Sequence, residues 1–313
     1  MITLAIVLPC YNEEEILDNS ANRLQGIFED LRIKDKISSD SFILFVNDGS
    51  KDSTWDIICH LHAQNDSIKG LNLASNVGHQ NAILAGMMAA KDKCDAVITM
   101  DADLQDDVNM IEKMVDYYCL GNEVVYGVKV SRKSDPFLKR ITAIGFYKLQ
   151  SMMGAKIVYN HADFRLISSH ALSILSQYHE RNIYLRGLIP MLGLKSSTVD
   201  DVIGERLSGQ SKYTLSKMMN LAIDGITSFS IKPIMMVFSV GLIFLIISLI
   251  IMTHALYCYL IGDVVPGWSS LIISIWFVSG INLMCMGIIG VYIGKLYIEV
   301  KHRPRYIVKN ELF

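Results

Sequence analysis

Beyond Lys232 the sequence contains no Asp, Glu, Lys or Arg until Asp263, and none again until Lys295. A helix rises about 1.5 Å per residue and a bilayer's hydrocarbon core is about 30 Å thick, so about 20 apolar residues span it. The runs Ile234 to Leu260 and Trp268 to Val291 both exceed that length. Neither leaves a polar face for water, which argues against two buried helices of a large soluble core. Two transmembrane helices are predicted, forming a hairpin over 232–295.

The flanks orient the hairpin. Lys212, Lys217 and Lys232 precede it; Lys295, Lys301, His302, Arg303, Arg305 and Lys309 follow; the connecting turn carries only Asp263. Positive charge stays on the cytoplasmic side, so the N-terminal part, the basic tail 296–313 and both termini are expected there. Met1 to Cys10 is too short for a signal peptide and has no basic residue before it. Six scattered cysteines form no CxxC pair, as suits a reducing compartment. A net charge of −2 gives no global basic field, which argues against a dedicated nucleic-acid binder.

Before the membrane segment, short apolar runs alternate with helical stretches. Leu4 to Leu8, Phe42 to Val46, Lys69 to Leu73, Ala96 to Met100 and Val124 to Tyr126 read as strands. Helices are expected to start at Asn12 to Glu15 and to cover Asp52 to Gln64, about Gln80 to Ala90, and Val108 to Cys119. This rhythm predicts an α/β domain, Rossmann-like, with a mostly parallel sheet, over 1–212. Such sheets bind ligands at the carboxyl ends of their strands. There the sequence places Tyr11, Asn12 and Glu13, then Asn47, Asp48 and Gly49, then Asp101, Ala102 and Asp103. Asp52 alone reads as a helix cap.

The sequence has no GxGxxG after the first strand and no GxxxxGK[ST], which argues against dinucleotide oxidoreductases and P-loop phosphotransferases. A bound diphosphate would therefore need another source of positive charge. Asp101-Ala102-Asp103 puts two carboxylates at a strand end, where they can take a divalent cation and a ribose hydroxyl, or share the cation. Hard oxygen ligands favour Mg²⁺ or Mn²⁺.

Leu8-Pro9-Cys10-Tyr11-Asn12-Glu13-Glu14, Val46-Asn47-Asp48-Gly49-Ser50 and Asp101-Ala102-Asp103-Leu104-Gln105 resemble the family-2 glycosyltransferases of the GT-A fold. Ala162-Asp163-Phe164-Arg165-Leu166, Leu185-Arg186-Gly187-Leu188 and Glu205-Arg206 with Gly209-Gln210-Ser211-Lys212-Tyr213 resemble the polyprenyl-phosphate sugar transferases within that family. So does Asp224 to Ser230 before the two membrane helices. The resemblance covers nearly the whole chain. It implies inverting transfer of a hexose from a nucleotide sugar, UDP-linked in most of this branch, to undecaprenyl or another polyprenyl phosphate. The implied setting is the bacterial inner membrane and the modification of O-antigen or another envelope glycan.

By the same resemblance, Pro9, Tyr11, Glu13, Asp48 and Asp101 bind the nucleotide. Asp103, assisted by Gln105, holds the metal, and Asp163 is the catalytic carboxylate. Asp163 also reads as a cap or as the ion-pair partner of Arg165. A phosphate monoester has a second pKa near 6, so a strong base is not demanded of Asp163. An anionic acceptor needs cations near the membrane, and Arg132, Arg140, Arg206 and Lys212, with Ser211, form the candidate lipid-phosphate set. Each of these singly also reads as a solvated surface charge. Leu215 to Phe229 has apolar positions at helical spacing, so a juxtamembrane helix over 213–231 would lie in the interface or pack on the domain. Gly290 and Gly294 permit close helix contact, so a homo-oligomer is a candidate partner alongside a downstream flippase. Asn47 and the His79-Gln80 pair are departures that bear on the choice of sugar. The competing readings are a polysaccharide synthase, whose QxxRW motif is missing, and a catalytically idle membrane module that senses nucleotide sugars.

Overall fold

The computed structural model describes residues 1–129, 161–181, 183–201, 232–261 and 267–313. Three apolar runs form strands whose residues are almost all buried: β1 (Leu4–Cys10), β2 (Phe42–Asn47) and β3 (Ile68–Leu73). Strands that are apolar on both faces need cover on both faces. Leu4, Ile6 and Leu8 face one cluster, where α1 (Leu17–Ile33), α2 (Thr54–Gln64) and α4 (Met110–Cys119) contribute Leu24, Phe28, Ile58 and Met114. Ala5 and Val7 face the other, filled by Ile83 and Met87 of α3 (His79–Ala90). Leu172 of α5 (Ser169–Leu175) and Leu188 of α6 (Leu185–Met191) join that second layer.

The remaining strands are β4 (Ala96–Thr99), β5 (Val124–Lys129), β6 (His161–Ser168), β7 (Ser196–Asp201) and β8 (Val308–Leu312). The sheet order is β7-β5-β6-β4-β1-β2-β3-β8. β4, β1, β2 and β3 are mutually parallel, as expected, so the carboxyl ends of β4, β1 and β2 lie side by side on one rim. β6 was not foreseen as a strand. It runs antiparallel between β4 and β5, with Thr99 opposite Arg165. Its amino-terminal end therefore reaches the same rim and delivers Asp163 to it.

α3 sits closely on β1 and β2 because Gly86 faces them. A Cβ there would fall inside contact distance of the Val7 and Val46 methyl groups. This close seat fixes the height of the loop that precedes α3, which carries part of the site.

Two long helices follow: α7 (Lys232–Ile261) and α8 (Trp268–Val300), of 30 and 33 residues. Within α8, Phe277–Val300 has a mean hydropathy of 1.8, is long and apolar enough to cross a membrane, and is not buried in the protein. The described apolar stretch of α7, Ile234–Phe244, is shorter than a crossing. α8 continues five residues past the expected hairpin boundary at 295, which puts Glu299 on its last turn.

The last residues do more than supply basic charge. β8 pairs antiparallel with β3, with Gly70 opposite Leu312, and Ala74 N–H donates to Ile307 O at 2.9 Å. The pairing covers what would otherwise be an exposed sheet edge. The exit of α8 is also tied down: Arg181 N–H donates to both Glu299 carboxylate oxygens at 2.8 Å, and the Arg181 guanidinium binds Arg303 O and Pro304 O. The predicted juxtamembrane helix 213–231 lies outside the described residues.

Gly86→Ala is expected to cost about 1–3 kcal/mol by overpacking α3 against the sheet. The check is a lowered Tm of the detergent-solubilised protein, with a Gly26→Ala control, where a Cβ meets nothing within 4 Å.

Candidate active site

The loops after β1 and β2 are knitted to one another. Asn12, at a φ of 53°, donates its N–H to Ser50 Oγ at 3.0 Å, and its side-chain oxygen accepts from Lys51 N–H at 2.9 Å. Glu13 N–H donates to Thr54 Oγ1 at 3.0 Å. Asp52 accepts from Thr54 N–H at 3.1 Å one residue ahead of Ser53, which holds the N-cap position of α2. These bonds delay α1 until Leu17, past the Asn12 to Glu15 start that the sequence suggests. Tyr11 stands exposed on the rim.

Asp48 is buried and supports the next loop. Its carboxylate oxygens accept from Val77 N–H at 2.7 Å and Gly78 N–H at 3.1 Å. Burial pushes its carboxyl above the usual range, and the two N–H donors only partly offset this. Gly49 is required beside it: its φ is +63°, and a Cβ would lie 2.5 Å from Asn76 N. Asn47 is also buried, donating to Asn72 Oδ1 at 2.8 Å and accepting from Ser50 N–H at 3.2 Å. An aspartate there would have no donor for Asn72.

The acidic triplet follows β4. Ala102 O accepts from Ser20 Oγ at 2.6 Å, which anchors the triplet to α1. One carboxylate oxygen of Asp103 accepts from the Gln105 amide; the other, Oδ1, is buried and has no hydrogen-bond partner among the described residues. A buried carboxylate oxygen without a donor is costly unless something cationic meets it. Asp103 therefore fits a divalent cation. Gln105 turns its amide nitrogen to Asp103, so it orients the ligand instead of adding an oxygen. Among the described residues no three His, Cys, Asp or Glu side chains gather as a metal cluster. That suits a cation held by one carboxylate plus substrate phosphate and water, the common Mg²⁺ arrangement.

Asp163, at the rim end of β6, is the most heavily partnered group. Arg165 binds its Oδ1, and Arg186 Nη2 lies 3.0 Å and His79 Nε2 3.4 Å from its Oδ2. Thr99 Oγ1 donates to its main-chain oxygen at 2.6 Å. Burial alone would raise the carboxyl, but Arg186, His79 and Arg165 together hold it well below the usual range. His79 also lies 3.5 Å from Asp101 Oδ1. Partial removal from water lowers the imidazole, yet its hydrogen bond to Asp163 and the charge of Asp101 outweigh that and raise it. Asp101 is pushed up, first by withdrawal from bulk water and then by its acidic neighbours, with His79 opposing.

The structure thus brings Asp101 and Asp163 together and sets Pro9, Tyr11, Glu13, Asp48 and Asp103 along the same rim. Arg132, Arg140, Arg206, Ser211 and Lys212 lie outside the described residues. In the sequence Arg186 stands only as part of a resembling motif and His79 only as a departure that bears on the choice of sugar; neither is expected there to partner Asp163. Arg165 was readable, since residues two apart on a strand share a face and Asp163 needs a partner.

The family model described as glycosyl transferase family 2 matches residues 5–175. The uncharacterized glycosyltransferase YkoT of Bacillus subtilis is 47% identical over 310 residues, 99% of this chain and 92% of that protein. The bactoprenol glucosyl transferase of Shigella phage SfV is 36% identical over 310 residues, 98% of each chain. Among solved structures, mannosyl-3-phosphoglycerate synthase from Rubrobacter xylanophilus is similar with a TM-score of 0.48 at 15% identity, covering 71% of each chain.

Asp163→Asn removes the anion and leaves Arg165 as an uncompensated buried charge, so it is expected to cost about 3–5 kcal/mol of stability. The depressed carboxyl sets the sign with pH: its contribution is full above the ordinary value of about 4 and is lost as pH falls through the folded value. Tm measured against pH should therefore fall more steeply below about pH 4 in the wild type than in the variant.

Proposed function

The chain belongs to glycosyl transferase family 2 and is a glycosyltransferase, and from that premise we propose that it moves a hexose from a UDP-linked donor to polyprenyl phosphate at the cytoplasmic face of a membrane. One observation carries the acceptor: the similarity to the bactoprenol glucosyl transferase runs the full length of both chains, apolar helices included. The apolar surface of α8 supports it, since Phe277–Val300 is long and apolar enough to cross a membrane and many of its described side chains, Leu283, Met284 and Met286 among them, are exposed. In this reading α7 is the second crossing and the anchor is a hairpin. The product is a lipid-linked sugar for an envelope glycan such as O-antigen.

A phosphate oxygen of the lipid attacks the anomeric carbon. The bond from that carbon to the diphosphate oxygen breaks, its electron pair leaves with UDP, and configuration inverts. The acceptor is mostly dianionic near neutral pH, so no proton need be taken from it. Asp163 suits this chemistry: a carboxylate held so far below its usual range is a poor base, but it can orient Arg186 toward an anionic acceptor. Pro9, Tyr11, Glu13 and Asp101 would hold the nucleoside. Asp48 would act with them through the loop that it fixes. Arg132, Arg140, Arg206, Ser211 and Lys212 would meet the lipid phosphate. A Mg²⁺ or Mn²⁺ ion bound by Asp103, oriented by Gln105, would neutralise charge on the departing diphosphate.

The test uses the full chain in detergent with undecaprenyl phosphate, Mg²⁺ or Mn²⁺, and a panel of radiolabelled UDP- and GDP-sugars. Label is expected in the organic phase from one UDP-hexose and should be lost on adding EDTA. Asp103→Ala should lower transfer by at least about 100-fold while Tm stays close to that of the wild type. No transfer from any donor, with nucleotide still bound, would favour the idle sensing module.

A further inference from the structure

His79 has no part in bond making as described above, yet the two halves of the site meet at its side chain. Nε2 lies 3.5 Å from Asp101 Oδ1 on the donor side and 3.4 Å from Asp163 Oδ2 on the acceptor side. The side chain is 42% exposed, so packing in the core does not account for its place. Its neighbours in sequence are equally committed. Val77 and Gly78 give their N–H groups to Asp48. Gln80 Oε1 accepts from Leu185 N–H at 3.1 Å, one residue before Arg186. Residues 77–80 thus touch the nucleotide-side carboxylates and the start of α6 together.

We propose that His79 is a positioning residue that sets the separation of Asp101 and Asp163, and through them aligns the donor's anomeric carbon with the acceptor phosphate. The proposal rests on reading the rim as a donor half and an acceptor half. The two carboxylates are like charges at the meeting of two strands; Arg165 and Arg186 hold Asp163 from its own side, and His79 is the donor placed between the two. With the imidazole spanning them, the rim cannot widen without breaking one contact. Donor binding draws mainly on the loops after β1 and β2, so loss of His79 acts on alignment more than on affinity. Small misplacements of reacting groups are expensive in rate.

Two measurements on the full-length enzyme in detergent test this. In the transfer assay, His79→Ala is expected to lower kcat by about tenfold to 100-fold while the donor KM stays within about threefold. His79→Gln keeps an N–H donor at similar reach and should recover at least about threefold of the loss. A kcat within about twofold of the wild type, or a loss that lies in KM alone, overturns the proposal.

The second measurement is a binding cycle with UDP, or with GDP if the wild type prefers it, over wild type, His79→Ala, Arg186→Gln and the double variant. Arg186→Gln is expected to change Kd by at least about threefold with His79 present and by less than about 1.5-fold without it. Equal changes in the two backgrounds, nil included, overturn the proposal. The cycle needs no lipid. A wild type that transfers nothing to polyprenyl phosphate therefore defeats the acceptor reading alone, and the cycle still decides the role of His79.

Discussion

A buried carboxylate at the head of β6 sets the terms for the rest of the site. Asp163 gives up most of its hydration, a loss that would drive it neutral if nothing answered its charge. Arg165 answers from the same strand, Arg186 from α6 and His79 from α3. Three separate elements are thereby held to one carboxylate, and His79 also reaches Asp101. Arg165 is itself fully buried, so it depends on Asp163 as much as Asp163 depends on it.

The same cluster lies on a mechanical path to the apolar helices. Glu299, on the last turn of α8, binds the main chain of Arg181, four residues before the start of α6. The chain then returns as β8 alongside β3, and the bond from Ala74 to Ile307 sits at the root of the loop that carries Val77 to His79. Both cation-bearing segments that converge on Asp163 are therefore tethered to the polypeptide leaving α8. Under the proposed function such tethers would fix the height of the site relative to α8.

Much of this was legible in the sequence, for a physical reason: strands buried on both faces are unbroken apolar runs, and β1, β2 and β4 are such runs. Their carboxyl ends carried the polar residues, and the sheet order confirms that those ends adjoin. β6 escaped notice because its functional residues, Asp163 and Arg165, break the unbroken apolar run that marks the other buried strands. β8 escaped for a different reason. Val308–Leu312 is short and mostly polar, as an edge strand can afford to be, and only its partner β3 reveals it. His79 stands out in the sequence only as a departure that bears on the choice of sugar, because its contacts to Asp101 and Asp163 depend on what two distant strands place beside it.

One oxygen of Asp103 is buried without a donor among the described residues, and the Gln105 amide holds the other, so the carboxylate is oriented before any ligand arrives. A site with more protein oxygens would bind a cation tightly whether or not substrate were present. A single fixed carboxylate binds it well only when diphosphate oxygens complete the shell. Cation and donor would then enter together and leave together after transfer, which suits a reaction whose leaving group is the diphosphate itself. In the proposed reaction the cation at Asp103 would be mobile positive charge for the group that departs, while Arg165 and Arg186 at Asp163 would be fixed positive charge beside the group that attacks.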